Sequence, residues 1–198
     1  MRKFLSLPQE KQNRIVDAAM TLFGEVGYKK AYISEIAAAS GISKALVFHY
    51  FGSKKGLYSY LVYYTGKIVM TEAQHDRDTA GKDFFERVAV TIRFRLSIKN
   101  RYPAMNTFID SVFNEDEPEV EADIDRLKTI ATDMHSKVEI SPDEAGVFKS
   151  GVDPALVVEL IEKYTEGVVY SQNDRDSVDD VMKSVVGCLD MLKVSFCK

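Results

Sequence analysis

Residues 43–57 read SKALVFHYFGSKKGL. Phe48, His49 and Tyr50 stand in succession, with Lys44 before them and Lys54 and Lys55 after. A helix advances about 100° per residue, so three consecutive side chains cannot share one buried face. In a helix from Lys44 to Phe51, Leu46, Val47 and Tyr50 fall inward, and Lys44, Ala45, Phe48 and His49 fall outward. The outward set needs a partner to make sense of its aromatic content.

The stretch ends in a charge conflict. Lys54 and Lys55 belong to the first turn of a further helix capped by Ser53, where the positive end of the helix dipole opposes cations. A bound anion reverses that sign, because phosphate accepts from the free N–H groups and from both ammonium groups. Just upstream, Ala37, Gly41 and Val47 supply a small residue at a helix crossing, a glycine able to take positive φ, and an apolar residue facing back. These are the requirements of a helix-turn-helix, with Ile36, Ile42 and Leu46 around it. A recognition helix reads base edges near its N-terminal end, which suits Ser43 as N-cap with Lys44 and Ala45 beside it. Phe48 and His49 then reach the groove wall. The alternative leaves Phe48 folded into the core, His49 solvated and the lysines as ordinary surface residues.

Working outward, the chain has 198 residues, 45% hydrophobic and 28% charged, enough for one substantial domain or two small ones in a soluble protein. Its net charge of −4 is uneven: residues 1–56 carry nine Lys and Arg against four Asp and Glu, residues 57–198 carry 17 against 26. A basic head on an acidic body points to a polyanion partner for the head. MRKFLSLPQEK lacks the apolar core of a secretory leader, and the apolar stretch 57–70 is short and holds Lys67, so no membrane span and a cytoplasmic location are expected. Cys188 and Cys197 read as free thiols. No phosphate-binding loop, nucleophile elbow or zinc-protease motif occurs, and His49, His75 and His135 are far apart. QHDRD at 74–78 and the acidic runs NEDEPE, EISPDEAG and QNDRDS have some metal-ligand character, and a metal site is set aside at each. Neither metal nor cofactor is expected, and the chain is not expected to be an enzyme.

Helical periodicity dominates, giving an all-α fold. In the first long helix Ser6 is placed to cap, Pro8 sits in the first turn, Ile15, Ala18, Ala19, Leu22, Phe23 and Val26 form the buried stripe, and Gly27 ends it. Helices follow at 33–40, from Ser43, from Ser53 to about 74, and at roughly 83–99, 103–114, 118–137, 154–171 and 177–196. NEDEPE, EISPDEAG and QNDRDS read as solvated connections between them.

RIVDAAMTLFGEVGY followed by YISEIAAASGISKALVFHYFGSKKGL resembles the DNA-binding head of the TetR family of transcriptional repressors. The resemblance implies a helix-turn-helix domain, residues 1–53, and a helical effector-binding and dimerisation domain, residues 54–198. It implies a homodimer on a palindromic double-stranded DNA operator, released by a small-molecule effector. By position, Lys44, Ala45, Phe48 and His49 correspond to base-facing residues, Tyr50, Lys54 and Tyr32 at the start of the second helix to phosphate contacts, and Phe51 to an interior residue. Two departures stand out. Ala31 and Tyr32 replace the family's capping Thr or Ser, and Phe48 stands where Tyr is common.

In the body, apolar residues circle the helix 83–99 almost completely, interrupted by Arg93 and Arg95, which fit snorkelling or an internal ion pair better than an acidic effector. The family's cavity would draw on Tyr64, Phe94, Phe108 and Tyr164, although interior stacking explains these residues equally well. The last two helices carry a second apolar face, since Val186 and Val194 lie off the stripe of Val181, Val185 and Leu189. A homodimer seam fits that face, and the alternative is a central helix of a monomer. The expected function is a ligand-responsive transcriptional repressor. The rivals are an interaction protein whose helix-turn-helix docks protein and, further off, a helical enzyme.

Overall fold

The computed structural model describes residues 2–75, 82–135, 140, 144, 146–172 and 176–198. Residues 76–78 of QHDRD and parts of EISPDEAG and QNDRDS lie outside the described residues. The elements are α1 Arg2–Leu5, α2 Gln9–Lys30, α3 Ile33–Ser40, α4 Lys44–Phe51, α5 Lys54–His75, α6 Phe84–Arg101, α7 Pro103–Phe113, a 3-10 turn Pro118–Val120, α8 Glu121–His135, α9 Pro154–Ser171 and α10 Val178–Phe196. The fold is all-α, its only described β pairing an isolated antiparallel bridge between Phe148 and Cys197. The chain forms two compact units, residues 1–70 with 102–131, and residues 71–101 with 132–198.

In the first unit α2 packs on both α3 and α7. It therefore buries Ile15, Val16, Ala19, Met20 and Phe23, while Val26 of the expected stripe is exposed. Two expectations about its ends need correction. The Ser6 hydroxyl donates to the Lys3 carbonyl at 2.9 Å and closes α1, and α2 starts after Pro8 with no side-chain cap. Gly27 does not end α2 but kinks it, with φ 77° and ψ 171°, and a last turn continues to Lys30. Only glycine takes that backbone without strain. The core is aromatic: Tyr58 has ring centroids of Phe23, Tyr28 and Phe108 at 5.1, 5.1 and 5.2 Å. Phe4 of α1, unread from sequence, is fully buried against Phe51 at 4.8 Å and Tyr60 at 5.2 Å.

In the second unit α6 lies against α9 and α10, with Phe85, Val88, Ile92 and Leu96 meeting Val157, Ile161, Met182, Val185 and Leu189. Its start is a reciprocal capping box: the Asp83 N–H donates to Glu86 Oε2 at 2.8 Å and the Glu86 N–H to Asp83 Oδ1 at 3.0 Å. Burial works against the Asp83 charge, but the Lys193 ammonium bonded to it holds its pKa below the usual value. Arg93 pairs on the surface with Asp179 at 2.7 Å, and Arg95 is exposed. Arg87 clasps both oxygens of Glu144 at 2.7 and 2.8 Å. Two lysines close helix ends, where orphan carbonyls and the negative dipole end favour cations. Lys99 Nζ donates to the carbonyls of Val169 at 2.6 Å and Gln172 at 2.9 Å, and Lys149 Nζ to those of Val194 and Ser195 at 2.8 and 3.0 Å.

Candidate nucleic-acid interface

The turn between α3 and α4 is set locally. Gly41 takes φ 67° and ψ 32°, and the Ile42 N–H returns to the Ala37 carbonyl at 3.0 Å, closing α3 in a Schellman arrangement. Ala37 and Val47 are buried at the crossing, and Ser43 Oγ accepts from the Leu46 N–H at 3.3 Å to start α4. Val47, Tyr50 and Phe51 face the core and Leu46 is half-buried. Lys44, Ala45, Phe48 and His49 are exposed together on the other side, Phe48 with its ring 5.9 Å below the Lys44 ammonium. The outward set read from the sequence is thus a continuous surface of one short helix.

The other anticipated contacts are placed unequally. Tyr32 is 65% exposed at the N-cap position of α3 and makes no side-chain cap, in keeping with the loss of Thr or Ser there. Tyr50 is buried, its ring 6.1 Å from Phe4 and 5.8 Å from His49. At the start of α5, Ser53 Oγ accepts the Gly56 N–H at 2.9 Å. Position 56 has room for nothing larger than glycine, since a Cβ there would stand 2.1 Å from the Phe51 carbonyl oxygen. Lys55 is exposed. Lys54 is half-buried, its ammonium 4.6 Å above the Tyr28 ring and donating to the Lys29 carbonyl at 3.1 Å. Burial lowers the Lys54 pKa, opposed by the carboxylates of Glu119, Glu117 and Glu115. An ammonium has three donors, so one bond to Lys29 leaves others for an anion.

Glu115 and Glu117 belong to NEDEPE, whose sequence suggests a solvated connection. Glu115 Oε2 accepts the Tyr28 N–H at 2.6 Å, and Glu117 pairs with Lys29 at 3.0 Å. A density of carboxylates in NEDEPE was the sole hint, and it names no partner.

Of the four aromatics considered for an effector cavity, Tyr64 and Phe108 lie in the first unit and Phe94 and Tyr164 in the second. Phe108 is fully enclosed in the aromatic core, and Phe94 is buried. Tyr64 and Tyr164 are half-buried, with burial first and then Cys188 pushing the Tyr164 phenol up to about 12. A groove of about 640 Å³ along α2 and α3 is lined by charged groups including Glu10, Arg14, Asp17 and Glu35, and by none of these four. Among the described residues, no group of three His, Cys, Asp or Glu could hold a metal ion, and no helix is long and apolar enough to cross a membrane.

Two short helices joined by a left-handed glycine, the second capped by a serine and showing an exposed Lys-Ala-Phe-His face, define a helix-turn-helix. Residues 15–61 match the model of the family described as bacterial regulatory proteins, tetR family. A stretch of 47 residues is 40% identical to the biofilm operon icaADBC HTH-type negative transcriptional regulator IcaR of Staphylococcus aureus (strain Newman). That stretch is 24% of this chain and 25% of the relative, so the chain matches about a quarter of the relative's length. Two solved structures extend the likeness of fold to the body. A TetR family transcriptional regulator from Chloroflexus aurantiacus J-10-FL superposes with TM-score 0.77 at 14% identity, over 100% of this chain and 98% of the other. The transcriptional regulator FadR from Bacillus subtilis, solved in complex with stearoyl-CoA, superposes with TM-score 0.61 at 18% identity, over 91% and 96%.

Proposed function

We propose that the chain is a ligand-responsive DNA-binding transcriptional regulator, a repressor that holds a palindromic operator as a homodimer and is released by a small-molecule effector. The observation that carries this is the exposed face of α4, Lys44, Ala45, Phe48 and His49, standing on the buried Val47 and Phe51. Ser43, Lys44 and Ala45 address base edges, and Phe48 and His49 the groove wall. Tyr32, Lys54 and Lys55 serve the phosphates, and Tyr50, assigned to them by position, is buried and packs beneath His49 instead. Functionally, residues 1–53 are the reading head and residues 54–198 the effector and dimer body, in the cytoplasm.

Two features support the partner assignments. Leu156, Leu160 and Tyr170 on α9, and Val186, Met191 and Val194 on α10, are exposed apolar residues. Gly167 and Gly187 lie within these helices with nothing within 4 Å of an added Cβ, although glycine costs a helix about 1 kcal/mol relative to alanine. Helices that carry exposed apolar side chains and open glycines suit close approach by a second copy of the chain. For the effector, FadR, a fold neighbour, was solved with an acyl-CoA, and Phe94 and Tyr164 are the lining candidates in the second unit.

The experiment is selection of bound duplexes from a random pool by the full chain, followed by titration against salt. A palindrome with half-sites about 34 Å apart, or a multiple of it, and a steep loss of affinity with salt are expected. No enrichment at low salt, or binding indifferent to salt, removes the proposal and favours a protein-docking role for the helix-turn-helix.

A further inference from the structure

We infer that Glu115, in the turn after α7, is a positioning residue for the DNA-reading head, holding the corner where α2 ends and where α3 and α5 begin. This rests on the DNA-binding reading above. The kink at Gly27 turns the Tyr28 N–H out of the helical ladder, and Glu115 Oε2 accepts it at 2.6 Å, a charge-assisted contact. The other oxygen, Oε1, accepts the N–H groups of Asp116 and Glu117, each at 3.3 Å, which fixes the carboxylate within its own turn. The neighbouring Glu117 pairs with Lys29 at 3.0 Å. A glutamate present only for solubility has no reason to be clamped through both oxygens at a backbone break.

What Glu115 holds is the platform of the proposed phosphate site. Tyr28 offers its ring to the Lys54 ammonium at 4.6 Å, and Lys29 offers its carbonyl at 3.1 Å. Tyr32, two residues past the end of α2, starts α3. If the last turn of α2 loses its anchor at Tyr28, Lys54 loses both of its internal contacts and Tyr32 loses its starting point. All of these residues belong to one compact unit.

The sign of the effect separates positioning from simple electrostatics. Removing a carboxylate close to a polyanion site should strengthen DNA binding by relieving repulsion. Loss of a positioning contact weakens it. Glu115→Asp keeps the charge but falls short by one methylene, about 1.5 Å. Glu115→Gln keeps the acceptor oxygen and loses the charge.

The test uses the full chain and the duplex enriched by selection, with affinity, salt slope and amide hydrogen exchange at Tyr28 as readouts. Glu115→Asp and Glu115→Ala are expected to speed exchange at Tyr28 about tenfold or more and to weaken DNA binding by about the same factor. Their salt slopes should fall to that of Lys54→Ala, and the double variant Glu115→Ala with Lys54→Ala should lose little beyond either single one, because the two act as a unit. Glu115→Gln should stay within about threefold of the parent on both counts, or bind more tightly. Where Glu115→Ala does not fold, Glu115→Asp decides. Unchanged or tighter DNA binding by Glu115→Asp, or a Glu115→Gln variant that keeps its exchange protection and still loses DNA affinity, overturns the inference alone. A parent chain that binds no duplex overturns the function and the inference together, and is seen before any variant is made.

Discussion

Replacing Leu160 and Val194 together by serine tests the proposed dimer seam most directly. In the single chain Leu160 is 47% exposed and Val194 is 76% exposed. Full burial of such a side chain is worth about 2 kcal/mol, so covering the part still exposed contributes about 1 kcal/mol at Leu160 and about 1.5 kcal/mol at Val194. A twofold interface contains each residue twice, so the double substitution removes about 5 kcal/mol, more than a thousandfold in the dissociation constant. If the partner covers only half of that surface, about seventyfold remains. Both positions are already exposed in the single chain, so its own stability should move by no more than about 0.5 kcal/mol. Sedimentation velocity over a wide concentration range reads the association constant, and circular dichroism checks the fold. Leu5→Ser, at a residue 55% exposed on α1, is the control. The reasoning fails if the double variant sediments as the same dimer as the parent, or if Leu5→Ser dissociates it as readily.

Lys55→Ala removes an exposed ammonium from the start of α5, and the slope of log affinity against log salt should become shallower by about 0.9, with the fold unchanged. An unaltered slope would exclude Lys55 from the phosphate contacts. Gly56→Ala puts a Cβ against the Phe51 carbonyl, so α4 or α5 must shift. A loss of about 1–3 kcal/mol is expected in urea unfolding, with weaker DNA binding. Tyr60 gives a pH prediction: burial first, then Tyr64 and Tyr63, push its phenol up to about 12. The folded chain thus favours the neutral phenol, and this stability is complete below the unfolded value near pH 10 and lost as pH rises toward 12. Tyr60→Phe should flatten the fall in melting temperature over that window, and an unchanged profile would contradict it.

How much was legible differs by element. The helix boundaries from α3 to α5 follow from residues acting within a few positions of themselves. Ser43 accepts from Leu46 and Ser53 from Gly56, while the N–H of Ile42 after Gly41 returns to Ala37. Such caps and turns depend on the local backbone alone. The outward face of α4 was legible for the same reason, since helical geometry divides Lys44, Ala45, Phe48 and His49 from Val47 once the inner side is known. The reading of α2 was less complete. A helix covered on two sides buries more than one stripe, and periodicity does not say from which side a second helix arrives.

The all-α class, the helix-turn-helix, the asymmetry of charge between head and body and the outward face of α4 are legible in the sequence alone, because each rests on spacing and on bonds between near neighbours. Only the tertiary structure decided that Gly27 kinks α2 rather than ending it, that Glu115 receives the freed N–H of Tyr28 across 87 positions, and that Lys99 and Lys149 close α9 and α10 from elsewhere in the chain. These are orphan backbone groups meeting distant side chains. Burial requires that each find a partner, but which side chain arrives depends on how the helices pack, and local sequence does not carry that information.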